Sequence, residues 1–222
     1  MVSARDEAWQ VFRELRRGTE NYTRCLQFLR AGVEKGDFTL ESLGTDDAEL
    51  RTLRVKGGKT AAWRRLETLN RGTTEYRLHL QALREEVRQG GFTLADLFTS
   101  EVELEDLRVK GCKTTATYFL DLLRPGLGHY ALTLDGLRRE CALGRLPLAE
   151  IGTSEAELEE LRIKGCKTAA QMSLDHLRRG TDRYDVFQRT IREQLRFGGL
   201  ILADIGTTEE ELASLRGKPI AA

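Results

Sequence analysis

The apolar positions of the chain fall at helical spacing, with polar residues filling the gaps. Tyr22, Leu26, Leu29 and Val33 stand at i, i+4, i+7 and i+11, which places them on one face of a helix. The same spacing returns in Tyr76, Leu80, Leu83 and Val87, and again in Tyr130, Leu134, Leu137 and Cys141. A fourth copy keeps Tyr184, Ile191 and Leu195 but has Gln188 in the second place, so one core position is altered there. Val, Ile and Thr do not alternate with polar residues over any length, which argues against strands. The pattern predicts an all-α protein.

The pattern is also periodic. LRVKGGKT at 53–60, LRVKGCKT at 107–114 and LRIKGCKT at 161–168 set a period of 54 residues, and four periods account for 216 of the 222 residues. A degenerate fourth copy, LRGKP, begins at Leu215. Each period is expected to hold four helical segments. The tyrosine-headed helix ends at Gly36, at Gly90 or Gly91, at Gly144, and at Gly198 or Gly199, the usual place for a C-cap glycine. A short apolar segment follows: FTLESL, FTLADL, LPLAEI or LILADI. A third helix starts at a capping box, with Ser100 and Glu103, Ser154 and Glu157, Thr208 and Glu211, and Asp46 with Glu49 as the variant. It is expected to end at Lys-Gly. A fourth helix then starts at Lys-Thr and turns Ala62, Leu66, Leu69, their counterparts Ala116, Leu120, Leu123, and Ala170, Leu174, Leu177 inward.

Residues 6–17 align with that fourth helix through Ala8, Phe12 and Leu15. The frame is therefore an orphan N-terminal helix at 1–18, repeat units at 19–72, 73–126 and 127–180, and an incomplete unit at 181–222. The closing RGKPIAA, Arg216 to Ala222, is too short and too proline-marked for a final helix. The expected architecture is a tandem array of about four 54-residue four-helix units, the last lacking its final helix. A spare helix at one end and a gap at the other suggest closure within one chain or head-to-tail association between chains.

Charge narrows the function classes. Lys and Arg together number 35, as do Asp and Glu, which excludes a uniformly basic nucleic-acid binder but not a basic stripe. No apolar run approaches the roughly 18 residues of a membrane-spanning helix. The start, MVSARDEAWQ, lacks the basic n-region and apolar core of a secretory signal, so a soluble, cytoplasmic protein is expected. Cys25, Cys112, Cys141 and Cys166 follow neither a CxxC nor a Cys/His zinc spacing. No metal or other cofactor is expected.

Read from Tyr76, one unit runs as a long helix, FTLADL, a capped TSEVELEDLRVKG helix and CKTTATYFLDLL. This order resembles the C-terminal domain of the bacterial RNA polymerase α subunit. In that family a helix is followed by a T-x-x-D-L segment, a T/S-E-x-E-L helix, an I-R-x-x-G-x-K-S turn and a closing helix. The L-R-x-x-G-x-K-T stretches at Leu53, Leu107 and Leu161 carry the match, which covers nearly the full chain. The turn is also similar to a helix-hairpin-helix, with Lys56, Lys110 or Lys164 in place of its first glycine. The resemblance implies non-enzymatic binding of the duplex DNA backbone or minor groove, in a transcription or genome-associated setting. The residues it implicates are Gly57, Lys59 and Thr60, then Gly111, Lys113 and Thr114, then Gly165, Lys167 and Thr168. The family's first-helix Arg-x-x-Asn pair has no counterpart in YTRCLQFL, YRLHLQAL, YALTLDGL or YDVFQRTI.

The physical basis for a site in the turn is that free N–H groups at a helix N-terminus attract phosphate and glycine lets the backbone approach. A lysine beside that positive helix end is unfavourable unless an anion visits or an acid pairs with it. The competing reading has Thr capping the helix and Lys pairing with acids, while Arg54 and Lys56 complement the C-terminus of the third helix. GGKT is not a P-loop, because Leu53 stands where that motif needs glycine. Cys112 and Cys166 take the place of Gly58 and read as small packing residues. His79, His129 and His176 occupy three different repeat positions and form no triad. The recurring tyrosines, and Trp9 with Trp63, read as core or inter-repeat packing. Two functions therefore stand: a nucleic-acid-binding array, or a protein–protein interaction scaffold that self-assembles through its unequal ends. No convergent polar set supports catalysis.

Overall fold

Residues 3–126 and 130–216 are described by a computed structural model. They form α1 (Ala4–Arg17), α2 (Tyr22–Lys35), α3 (Asp47–Arg71), α4 (Tyr76–Gly90), α5 (Glu101–Leu123), α6 (Tyr130–Gly144), α7 (Glu155–Arg179), α8 (Tyr184–Gly198) and α9 (Glu209–Ser214). Short 3-10 turns at Glu41–Leu43, Ala95–Leu97, Leu148–Ile151 and Leu202–Ile205 occupy the expected apolar segments. No strand occurs among the described residues, and the all-α expectation holds.

The helix starts follow local chemistry. Asp46 accepts the Glu49 N–H at 2.7 Å, and Ser100, Ser154 and Thr208 accept those of Glu103, Glu157 and Glu211 at 3.2 Å each. Each bond satisfies one of the orphan donors of a first turn. At the far ends, Gly36, Gly91 and Gly199 take left-handed conformations with φ of +76°, +68° and +64°. In the third copy Gly144 stays inside α6, and Arg145 takes the positive φ, +52°.

The break expected at Lys-Gly does not exist. α3, α5 and α7 run straight through Gly57, Gly111 and Gly165 and are 25, 23 and 25 residues long, so the third and fourth helices of each unit are one. Two glycines in a helix cost about 1 kcal/mol each relative to alanine. That local penalty is overridden by burial on both sides, Leu50 and Leu53 before the glycines of α3 and Ala61, Ala62 and Leu66 after them.

Each long helix serves two cores, and this shifts the frame of the repeat. The first core joins Ala8, Phe12 and Leu15 of α1 to Tyr22, Leu26 and Leu29 of α2, to Leu43, and to Leu50 and Leu53 of α3. The third joins Leu120 and Leu123 of α5 to α6 and to Leu158 and Leu161 of α7. The fourth joins Leu174 and Leu177 of α7 to Tyr184, Ile191 and Leu195 of α8 and to Leu212 of α9. A module is thus the second half of one long helix, a tyrosine-headed helix, a 3-10 turn and the first half of the next long helix. In this frame α1 is not an orphan, and α9 supplies the last helix of the fourth module. The modules span 4–57, 58–111, 112–165 and 166 onward, and the premise of a spare helix filling a gap disappears. Gly217 to Ala222, with most of LRGKP and RGKPIAA, lie outside the described residues. The chain forms two compact bodies, one ending at Gly111 and the other beginning at Cys112, and this border is the one between the second and third modules.

Within each body the glycines set how closely helices meet. A Cβ on Gly57 would lie 2.3 Å from the Tyr22 Cβ, one on Gly111 would lie 2.2 Å from the Tyr76 ring, and one on Gly165 would lie 2.5 Å from Tyr130. The tyrosines are buried, as the sequence reading expects. One position further on, the modules solve a shared packing problem in two ways. A Cβ on Gly58 would sit 3.0 Å from the Phe92 ring, whereas the equivalent Cys112 and Cys166 accompany the smaller Leu146 and Leu200 around Gly144 and Gly198. Glycine goes with phenylalanine, and cysteine with leucine.

Two predictions follow from this packing. A fragment of residues 1–111 contains two whole modules and keeps the α2 amides protected from hydrogen exchange; a fragment of 19–126, of similar length, lacks α1 and leaves them unprotected. In a double-mutant cycle, Gly58→Cys and Phe92→Leu each destabilise by about 1–2 kcal/mol. The double variant, measured by chemical unfolding, recovers at least about 1 kcal/mol of that sum through coupling.

Candidate functional site

With the helices continuous, the nine residues expected to cradle an anion lie mid-helix. Their backbone N–H groups are spent on carbonyls of the preceding turn, so no set of free donors forms at Gly57, Lys59 and Thr60, at Gly111, Lys113 and Thr114, or at Gly165, Lys167 and Thr168. The hydroxyls of Thr60 and Thr168 donate back to the carbonyls of Lys56 and Lys164 at 3.0 Å, a helix-internal use of threonine. The helix-terminus basis for phosphate binding is therefore absent at these positions.

The lysines divide by position. Lys56, Lys110 and Lys164 reach the carbonyls of Arg16, Asn70 and Arg124, the last at 2.5 Å. Each puts a cation at the C-terminal end of the preceding helix, where the dipole favours it by about 0.3–1 kcal/mol. The helix complemented is the one before, not the helix that carries the lysine. Lys59 meets Asp96 at 3.0 Å and its ammonium lies 5.9 Å from the centre of the Phe92 ring. Lys113 and Lys167 are exposed, and neither takes part in an ion pair among the described residues.

Asp96 is the most strongly perturbed acid of this region. The Thr93 backbone N–H and hydroxyl both donate to its Oδ2 at 2.8 Å, and with Lys59 they hold its carboxyl down at about 2, against an ordinary 3.8. The Thr93 backbone bond is the largest cause, then the Thr93 hydroxyl, then Lys59.

A second recurrent arrangement was not anticipated. The glutamates of the capping boxes turn towards arginines 33 residues earlier. Arg16 holds Glu49 through contacts of 2.8 and 3.1 Å, and Arg178 holds Glu211 at 2.9 and 3.2 Å. Arg124 faces Glu157 at 3.6 Å. These arginines lower the Glu49 and Glu211 carboxyls below their ordinary range. Arg178 also donates to the Gly206 carbonyl at 2.9 Å, and Arg16 approaches that of Gly44 at 3.5 Å. Buried Thr153 and Thr207 donate to the same glutamates at 2.9 and 2.8 Å. The signal was present in the sequence as Arg and Glu 33 apart in three of the four copies, with Asn70 as the exception.

The remaining candidates stay apart. Cys25, Cys112, Cys141 and Cys166 are all buried as free thiols, and the Cys166 thiol donates to the Tyr130 hydroxyl at 2.9 Å. His176 stacks on Phe187 at 4.9 Å; His79 lies on α4, and His129 lies outside the described residues. Trp9 packs on the first core as expected, edge-on to Phe12, but Trp63 is half exposed. Other large apolar side chains also face water: Leu78, Leu132 and Val186, one repeat apart, and the pairs Tyr118 with Met172 and Leu143 with Phe197. Among the described residues no helix is long and apolar enough to cross a membrane, and no group of three His, Cys, Asp or Glu is placed to hold a metal ion. No family model, curated protein or solved structure matches the chain.

The causes ranked for Asp96 separate by mutation. In Lys59→Met the Asp96 carboxyl, followed by carbon NMR, rises from about 2 yet stays below 3.8, because both Thr93 bonds remain. In Thr93→Ala it rises further. Since the folded value lies below the unfolded one, the stability Asp96 contributes is complete above pH 3.8 and is lost as pH falls towards 2.

Proposed function

We propose that the protein is a non-enzymatic helical-repeat scaffold that binds protein partners. The observation that carries this reading is the repeat position occupied by Leu78, Leu132 and Val186. The same position of the tyrosine-headed helix is apolar and exposed in three successive modules, with Leu78 at 65% and Leu132 at 80% exposure. Single exposed leucines are ordinary, but an apolar residue kept outward at one repeat position meets no need of the core. In the Gly-Lys-Thr segments, by contrast, the glycines are spent on tyrosine packing, the Thr60 and Thr168 hydroxyls on carbonyls of their own helices, and Lys59 on Asp96.

Contact with nucleic acid is the second reading. It is favoured by the resemblance to the polymerase α C-terminal domain and by the exposed, unpaired Lys113 and Lys167. In this form lysine side chains touch phosphates without help from backbone donors, so affinity is modest and falls with a shallow salt slope of about −2 for two phosphates.

One pair of measurements separates the two. Affinity capture with the natural chain and with a Leu78→Ser, Leu132→Ser, Val186→Ser variant is expected to lose partners in the variant; an identical set from both counts against the scaffold. Fluorescence anisotropy with a labelled duplex at low salt is expected to show no saturable binding. Saturation that Lys113→Glu with Lys167→Glu abolishes would favour nucleic acid instead.

A further inference from the structure

The second module lacks an ion pair that its three sisters share. Where they put Arg16, Arg124 and Arg178 against a capping-box glutamate, it has Asn70, whose side chain is too short to reach Glu103 as they do. Glu103 is left with no ion pair among the described residues, its one side-chain partner being the Ser100 hydroxyl at 3.4 Å. Thr99, equivalent to the buried Thr45, Thr153 and Thr207, is half-buried and makes no bond to Glu103. An opening of about 270 Å³ results, lined by Trp63, Leu66, Asn70, Phe98, Glu103 and Asp106 among others. It is smaller than the roughly 300–1,000 Å³ of pockets that take whole small molecules, and it suits a single side chain.

Its rim is unusual as well. Phe98 stands where the other modules have Gly44, Gly152 and Gly206, and it takes the same left-handed conformation at φ +53°. That conformation is strained for a bulky side chain. Nothing in the core repays it, since Phe98 is 86% exposed. Trp63, on the other side of the opening, is half exposed too.

We propose that this opening is a docking pocket for an arginine side chain of a partner protein. The incoming guanidinium takes the place that Arg16 and Arg178 fill in their own modules, with its fork on the Glu103 carboxylate and a further donor directed at the Phe98 carbonyl. Two internal precedents, Arg16 and Arg178, define that geometry, and the acids Glu103 and Asp106 supply the complementary charge. The Trp63 and Phe98 rings give a cation an aromatic border. Arginine is chosen over lysine because only a planar fork meets a carboxylate at two points. The proposal rests on the scaffold reading and names a partner chemistry for it.

The test uses the full chain and N-acetyl-L-arginine amide as probe, read by amide and indole NMR shifts. Saturable shifts are expected at the Glu103 and Phe98 amides and the Trp63 indole, and at least about fivefold weaker ones with the lysine and citrulline analogues. Asn70→Arg fills the pocket in cis, abolishes the response and raises the thermal midpoint by about 2–4 °C. Glu103→Gln abolishes the response without that gain, and combining it with Asn70→Arg removes the gain. A citrulline response equal to that of arginine, probe binding retained in Asn70→Arg, or a thermal gain that survives Glu103→Gln would each overturn the pocket. Concentration-dependent dimers in light scattering that Glu103→Gln dissolves would overturn the choice of partner in favour of a second copy. The probe is a single amino-acid derivative read at one site, so its failure leaves the capture result standing. Unchanged capture in the Leu78, Leu132, Val186 variant would instead remove the scaffold reading while probe binding survived.

Discussion

The contact on which the architecture depends is the seating of Tyr22, Tyr76 and Tyr130 each on a glycine inside a long helix. Glycine is a poor helix residue, about 1 kcal/mol worse than alanine, and α3 carries two in succession. Alanine at Gly57, Gly111 or Gly165 would bring a Cβ to within 2.2–2.5 Å of the tyrosine, and overpacking of that kind costs about 1–3 kcal/mol. The steric term outweighs the propensity term, so glycine is retained in mid-helix. The close approach has a second effect, because it carries the tyrosine hydroxyl across to the neighbouring module. Tyr22 donates to Glu86 of α4 at 2.5 Å, and Tyr130 donates to Gln194 of α8 at 3.2 Å. In the fourth module Tyr184 donates instead to its own Leu212 carbonyl at 2.6 Å.

The polar residues of the repeat follow from this joint. Because a helix passes through the glycines without a turn, the lysine ahead of them can cap the helix before, and the glutamate of the capping box can take the arginine at that helix's end. Exposed ion pairs of this kind contribute about 0–1 kcal/mol each. Their consequence lies more in placement: they hold the end of one helix against the start of the next, in the same register wherever the arginine is kept. The balanced charge of the chain is in part the sum of these pairs, which leave only some of the cations open to water.

The period, the caps and the inward faces were legible in the sequence because each is written in neighbouring residues. Asp46, Ser100, Ser154 and Thr208 cap as their spacing demands, and the tyrosine-headed faces are buried. The continuity of α3 was not legible, since Gly57 and Gly58 are local helix-weakening signals and the burial that overrides them comes from chain segments tens of residues away. The frame was hidden for a different reason. A repeat of fixed period tiles equally well from any origin, and only contacts show that Ala8, Phe12 and Leu15 close a core with Leu50 and Leu53. For the candidate site, the local pattern placed its residues at a helix start, whereas they lie in mid-helix. That change of setting removed the backbone donors on which phosphate binding relied.

Departures from the repeat fall into two kinds, and the difference bears on function. Gly58 with Phe92 and Cys112 with Leu146 differ in both members, and each loss of volume at one position accompanies a gain at the other. Such paired change is what a packed interior demands, since it tolerates neither voids nor overlap. Asn70, Thr99 and Phe98 depart together as well, but here the change opens space, unpairs Glu103 and strains a backbone whose side chain faces water. Packing alone would have selected arginine and glycine at these positions, as it has three times in the same chain. A cluster that gives up an ion pair and a relaxed turn without gaining burial is what the proposed pocket requires, and the chemistry it lacks is a guanidinium.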